Sequence, residues 1–214
     1  VIVAADKAGN ETTVTVAMHR TEAMREHIGD ITEDNVISAD RETVQDYLDD
    51  LKEQSENEKL TDQEKTILEG LADEAQEILD RLDQTEQAVS TEAVNQTQDI
   101  TSGNVTPGDK EALEQAKEDI EQALDQFGGN YTDEEKAALK EDLSRIEEAL
   151  EVIGRIEEAE AAIEALPDRV NPDDTKAGEQ IEAAKDLYDA LNDYEKSLIS
   201  AEAKDKLEGL LAAL

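Results

Sequence analysis

The sequence has no cysteine and no tryptophan, one phenylalanine, four tyrosines, three prolines and two histidines in 214 residues. Without cysteine there can be no disulfide framework and no cysteine-based zinc site, and two scattered histidines cannot replace one. Five aromatic residues leave nothing from which to build a stacking platform for bases or sugars. Cations are scarce too: 20 Lys+Arg face 57 Asp+Glu, for a net charge of −37. A chain so acidic is repelled by phosphate backbones and anionic lipid surfaces, which excludes nucleic acid and peripheral membranes as partners. No apolar run approaches the roughly 18 residues needed to span a bilayer. The opening Val1-Ile2-Val3 shows neither an initiator methionine nor a signal-peptide pattern, which reads as an internal piece of a longer protein. Leucine, isoleucine, valine and phenylalanine make up only about a fifth of the chain, close to the level at which a highly charged sequence stays disordered. The arrangement of those residues, rather than their number, has to decide the fold.

Residues 1–18 differ in kind from the rest. Two β-branched, alternating stretches flank the turn chemistry of Lys7-Ala8-Gly9-Asn10, which predicts a β-hairpin. A two-stranded hairpin is marginal alone, so it is expected to complete a sheet lying upstream. Ala5-Asp6-Lys7-Ala8-Gly9-Asn10 followed by Thr12-Thr13-Val14-Thr15-Val16 resembles the last two strands of bacterial Ig-like domains of secreted and surface proteins.

From about residue 20 the chain turns rich in Glu, Ala, Leu, Lys, Gln and Asp, and it repeats. Ile31-Thr-Glu-Asp-Asn35-Val36 returns as Ile100-Thr-Ser-Gly-Asn104-Val105, and Thr61-Asp-Gln-Glu64-Lys65 as Thr132-Asp-Glu-Glu135-Lys136, a period of roughly 70 residues. Asn192-Asp-Tyr-Glu195-Lys196 opens a third, more divergent copy of the second phrase. The organisation expected is residues 1–19 as a partial Ig-like domain, then three-helix units at 20–88, 89–153 and 154–214. In each unit the middle helix starts at Ser38, Thr106-Pro107 or Asn171-Pro172, where the first side chain can accept a bond from a free amide. The last helix starts with a capping box, Thr61-x-x-Glu64, Thr132-x-x-Glu135 or Asn192-x-x-Glu195. Gly128-Gly129 is expected to end a helix as a C-cap.

Apolar residues at spacings of three and four draw one narrow seam per helix. Val44, Tyr47, Leu48 and Leu51 face Leu68, Leu71, Ala75, Ile78 and Leu82. Leu113, Ala116, Ile120, Leu124 and Phe127 face Leu139, Leu143, Ile146, Leu150 and Ile153. Ile163, Leu166, Ile181, Ala184, Leu187, Tyr188 and Leu191 face Ile199, Leu207, Leu210 and Leu214. A helix with one narrow seam needs neighbours to bury it, and a three-helix bundle is the smallest arrangement that provides them. With no proline and only Gly70 between Thr61 and Ile100, and only Gly154 between Asp133 and Leu166, the last helix of one unit is expected to run straight into the next. The fold expected is therefore all-α: tandem three-helix-bundle repeats in an elongated, spectrin-like array behind a short β-hairpin.

The ordered phrases Asn35 to Glu42, Asn57 to Lys65, Ile100 to Leu124, Asn130 to Leu139 and Ala183 to Ser200 resemble the helical repeat region of large cell-surface proteins of Gram-positive gut Firmicutes. Tyr188 to Ser200 is the most specific of them. The resemblance implies an extracellular, wall-associated, non-enzymatic module, with any host protein or glycan met by neighbouring domains. It brings no catalytic, cofactor-binding or metal-ligating residues. The chain itself is expected to be a monomer, with no membrane insertion and no cofactor.

Acid pairs such as Asp49-Asp50, Glu147-Glu148 and Asp173-Asp174 follow from composition alone, and hydrolysis needs carboxylates facing across a cleft. The loop acids Asp30, Glu33, Asp34, Asp173 and Asp174 lack the alternating ligand spacing of an EF-hand. His19 and His27 have no partner at ligand spacing. Tyr188 and Tyr194 bracket an inter-helix loop and could mark a binding edge, although aromatics at helical spacing are more often core. Two functions are left: a structural spacer, or a helical module that captures a host protein through an exposed apolar patch.

Overall fold

The computed structural model describes Arg25, residues 28–170 and residues 175–214. The expected hairpin at 1–18, His19, His27 and the Asn171-Pro172-Asp173-Asp174 segment lie outside the described residues. Within them the chain is all-α, with no strand. The helices are α1 (Arg41–Ser55), α2 (Asp62–Ala88), α3 (Glu92–Thr97), α4 (Lys110–Phe127), α5 (Asp133–Glu164), α6 (Thr175–Ala190), α7 (Asp193–Leu198) and α8 (Ala201–Leu211). Single 3-10 turns at Ser38–Asp40 and Pro107–Asp109 lead into α1 and α4. No helix of the described residues is long and apolar enough to cross a membrane.

The chain forms two compact units. One runs to Val89 and includes Ala123–Lys136; the other joins Ser90–Gln122 to Ala137–Leu214. In the first, α1 and α2 form an antiparallel pair, and Val44, Tyr47, Leu48 and Leu51 interlock with Leu68, Leu71, Ala75, Ile78, Leu79 and Leu82 in one core with Ile28 and Val36. Burial of each valine, leucine or isoleucine among them contributes about 1.5–3 kcal/mol. Arg41 clamps the outside of the pair, reaching Asp83 and Glu86 at 2.8 Å each. In the second unit α4 lies antiparallel to α5, with Lys110 on Glu157 at 2.6 Å and Lys117 on Glu147 at 2.8 Å. Arg41 and Lys110 occupy the same repeat position, as do Glu86 and Glu157, so one cross-helix ion pair occurs in both copies. These exposed pairs add little stability singly. α5 buries Ile146, Ala149, Val152, Ile153, Ile156, Ala159 and Ile163, its alanines allowing close helix approach. α6 packs against α8.

The structure corrects several expectations. Of the seam residues, Leu124, Phe127, Leu139, Leu143, Leu150, Leu187 and Tyr188 are only half-buried, and Leu214 is 49% exposed. Leu214 lies three residues past the end of α8, beyond the helix that would have carried it into the seam. The first junction is broken: α2 stops at Ala88 and α3 begins after Thr91, whose hydroxyl accepts from the Val94 amide at 3.2 Å. A local cap ended the helix where no proline or glycine was present. The second junction runs straight, α5 passing Gly154 without interruption. The last helix expected in the third copy is two, because Ile199 is extended and Ser200 caps α8. Ser38 and Thr106 are not the acceptors expected of them. Their hydroxyls act as donors instead, to Glu135 and Asp109 at 2.8 Å each, while the carboxylates of Asp40 and Asp109 accept from the Ile37 and Thr106 amides at 3.0 and 2.8 Å. The three capping boxes at Thr61, Thr132 and Asn192 are all formed.

Candidate functional site

Among the described residues, the acids singled out in the sequence do not converge. Asp30, Glu33 and Asp34 are exposed on the loop before α1, and the pairs Asp49-Asp50 and Glu147-Glu148 lie on solvent-facing helix surfaces. Among the described residues no group of three or more potential ligands is placed to hold a metal ion. Two open grooves are present in the second unit. One, of about 590 Å³, runs between α3 and the start of α4 past Thr91, Gln96, Gly108, Ala112 and Gln115. The other, of about 570 Å³, lies along Lys117, Ser144 and Glu147. In the first, the carboxamides of Gln96 and Gln115 are already bonded to Glu92 and Asp119 of their own helices. Tyr194 is not a free edge either, since its hydroxyl donates to the Val105 carbonyl at 2.9 Å.

The organised polar chemistry is concentrated instead where loops meet helix tips. The repeated phrase Ile31 to Val36 is a turn. Asn35 Oδ1 accepts from the Thr32 amide at 2.7 Å and its Nδ2 donates to the Asp30 carbonyl at 3.0 Å; Asn104 does the same with Thr101 and Asp99 at 2.7 and 2.9 Å. Gly29, at φ 58°, supplies the left-handed residue that starts the first turn. Within the first unit the tip between α4 and α5 closes over this turn. Asn130 donates from Nδ2 to the carbonyls of Glu33 at 2.7 Å and Val36 at 3.0 Å, while its Oδ1 accepts from Arg81 Nε at 3.0 Å. Arg81 also donates to the Gln126 carbonyl at 2.9 Å and lies 4.4 Å from the Phe127 ring centre. The Tyr131 hydroxyl donates to the Thr85 carbonyl at 2.9 Å, and burial, reinforced by the nearby Glu135 carboxylate, pushes that phenol up to about 12. Burial opposes ionisation of Glu135, but the bonds it accepts from Thr132 and from the Ser38 hydroxyl outweigh it and hold its carboxyl below the ordinary range.

Gly128-Gly129 ends α4, but not as a left-handed cap, because neither residue has a positive φ. The requirement is space: a β-carbon on Gly129 would sit 2.6 Å from the Asp34 carbonyl oxygen. Gly129→Ala is expected to destabilise the first unit by about 1–3 kcal/mol through this overlap, measurable by urea denaturation. Unchanged stability would show that the tip can retreat from the turn without cost.

The second unit uses different residues for the same task. Arg145 donates to the carbonyls of Thr97 and Ile100 at 2.7 Å each and to Asp142 at 2.8 Å. Arg155 pairs with the buried carboxylate of Glu195. Asn130, Arg81, Arg145 and Arg155 were not singled out in the sequence. The available signal was rarity, since each arginine is one of few cations and lies beside an apolar seam. All these groups hold backbone or one another, and none is a nucleophile facing a base. Comparison with protein-family models, with curated proteins and with solved structures finds no match.

Proposed function

We propose that this chain is a non-enzymatic spacer, a stalk segment of an extracellular, cell-wall-associated bacterial protein that holds recognition domains away from the surface. In this reading residues 20–214 are three tandem three-helix repeats in an elongated array, and residues 1–19 close a preceding Ig-like domain. The observation that carries it is how the side chains are used. Leu214 is the one exposed large apolar residue among those described, and the polar groups at the loop-tip contacts are spent on internal bonds. Such a surface suits a part that must stay soluble and hold its length. The resemblance of the helical phrases to Firmicutes surface-protein repeats supports the extracellular setting. Capture of a host protein by this segment would require a contiguous exposed apolar patch, and among the described residues Leu214 alone does not make one.

Small-angle scattering tests the spacer. Three units of about 30 Å set end to end give a rod of about 90 Å, with a radius of gyration of roughly 26 Å. A compact chain of this length would give roughly 17 Å. A value near the lower figure overturns the proposal. Retention of a serum or mucin protein by the immobilised chain would favour the capture module instead.

A further inference from the structure

The three capping boxes differ in what their glutamate does with its second oxygen. Glu64, Glu135 and Glu195 each accept, through Oε2, from the amide of the residue that opens the helix, at 2.8, 2.7 and 3.0 Å. Glu135 Oε1 also accepts from the Ser38 hydroxyl at 2.8 Å. Glu195 Oε1 accepts from Arg155 of α5, and Glu195 is the one buried carboxylate among the described residues, 1% exposed. α7 has six residues, too few to be stable as an isolated helix. Its position therefore depends on side-chain ties, of which the Arg155–Glu195 pair is the charged one.

We propose that Glu195 is an acid-released latch: ionised, it fastens α7 to α5 through Arg155, and protonated, it frees α7 while the rest of the second unit stays folded. The charge facing Glu195 from α5 is Arg155. On its own helix Lys196 is turned away, with Nζ donating to the Asp189 carbonyl and lying over the Tyr188 ring, and Asp193 is exposed. The loop before α4 meets α7 through Tyr194 and the uncharged Val105 carbonyl. Burial disfavours the Glu195 carboxylate, but Arg155 and the Asn192 amide outweigh it and hold its pKa below the usual value. A depressed carboxyl contributes stability that is complete above its unfolded pKa and is lost as pH falls through the folded one. The contribution of charge repulsion across the whole chain moves the other way as far as the isoelectric point. Protonation of exposed acids brings the net charge from −37 toward zero at the isoelectric point near 4.1 and relieves repulsion. Loosening of α7 alone is thus distinguishable from general acid unfolding, and it does not depend on the spacer reading.

Residue-resolved hydrogen exchange of the full chain, corrected for intrinsic rates, tests this from about pH 6 to about pH 3.5. Protection of the 195–198 amides is expected to fall by up to about tenfold as pH drops from the ordinary glutamate range to about 3.5, while 146–163 of α5 keeps its protection. Glu195→Gln should show low α7 protection at both ends of the range. Arg155→Met should move the release to higher pH, because it removes the cation that holds the carboxylate ionised. Parallel α7 and α5 protection in the wild type overturns the latch, as does wild-type pH dependence in Glu195→Gln. The wild-type titration decides the matter even if a variant fails to fold.

Discussion

Asn130→Ala is expected to cost the first unit about 3 kcal/mol, a large fraction of the stability of an ordinary domain. Asn130 is 2% exposed and its carboxamide has three partners, the carbonyls of Glu33 and Val36 and the guanidinium of Arg81. Alanine leaves the Val36 carbonyl without its donor in a buried position, at about 1–3 kcal/mol, and the part-buried Glu33 carbonyl at somewhat less. Arg81 keeps the Gln126 carbonyl and the Phe127 face and suffers less. Asn130→Asp separates donor from acceptor. It preserves a partner for Arg81 but points a carboxylate at two carbonyl oxygens, so it should destabilise at least as much at neutral pH. Acidification should return part of that loss, because the neutral acid can donate one bond. Urea unfolding followed by circular dichroism measures both; a loss below about 1 kcal/mol for Asn130→Ala would mean that water replaces the carboxamide.

What could be read from the sequence was what is encoded locally. Val44, Leu48, Leu51, Leu68, Leu71 and Ile78 are buried because the helical period places them on one face, and that period is visible without any structure. The capping boxes at Thr61, Thr132 and Asn192 involve residues three apart and were equally legible. The breaks at Ser90-Thr91 and Ile199-Ser200 were written in hydroxyl caps, but a search for proline and glycine passes over them. Arg81 and Asn130 are 49 residues apart, and no periodicity announces a contact that exists only once two hairpins have formed. The repeat of Ile31 to Val36 at Ile100 to Val105 was plain, whereas its physical content, an asparagine folding its own turn, needed the distances. Glycine at 129 reads as a helix stop in the sequence; in the structure it is a place where backbone meets backbone.

Raising the ionic strength from a few millimolar to the physiological level should increase the melting temperature of the whole chain by on the order of 10 °C. Its origin is the formal charge of −37, carried by exposed helix faces on which acids neighbour acids. Two carboxylates about 8 Å apart repel by roughly 0.5 kcal/mol in unscreened water. At physiological ionic strength the Debye length is itself about 8 Å, so much of that repulsion is removed. The unfolded chain spreads the same charges further apart and gains less, leaving a net effect of several kcal/mol over many pairs, or roughly 10 °C for a domain of this size. The few cross-helix cations, Arg41, Lys110 and Lys117, lose some attraction in salt, but exposed pairs contribute too little to reverse the sign. Calcium distinguishes screening from binding. With the described residues offering no ligand cluster and Asp30, Glu33 and Asp34 each facing solvent, CaCl₂ matched to NaCl in ionic strength should give nearly the same increase. A saturable rise at micromolar calcium would instead identify a site, with the loop acids Asp30, Glu33, Asp34, Asp173 and Asp174 the first to replace by asparagine or glutamine.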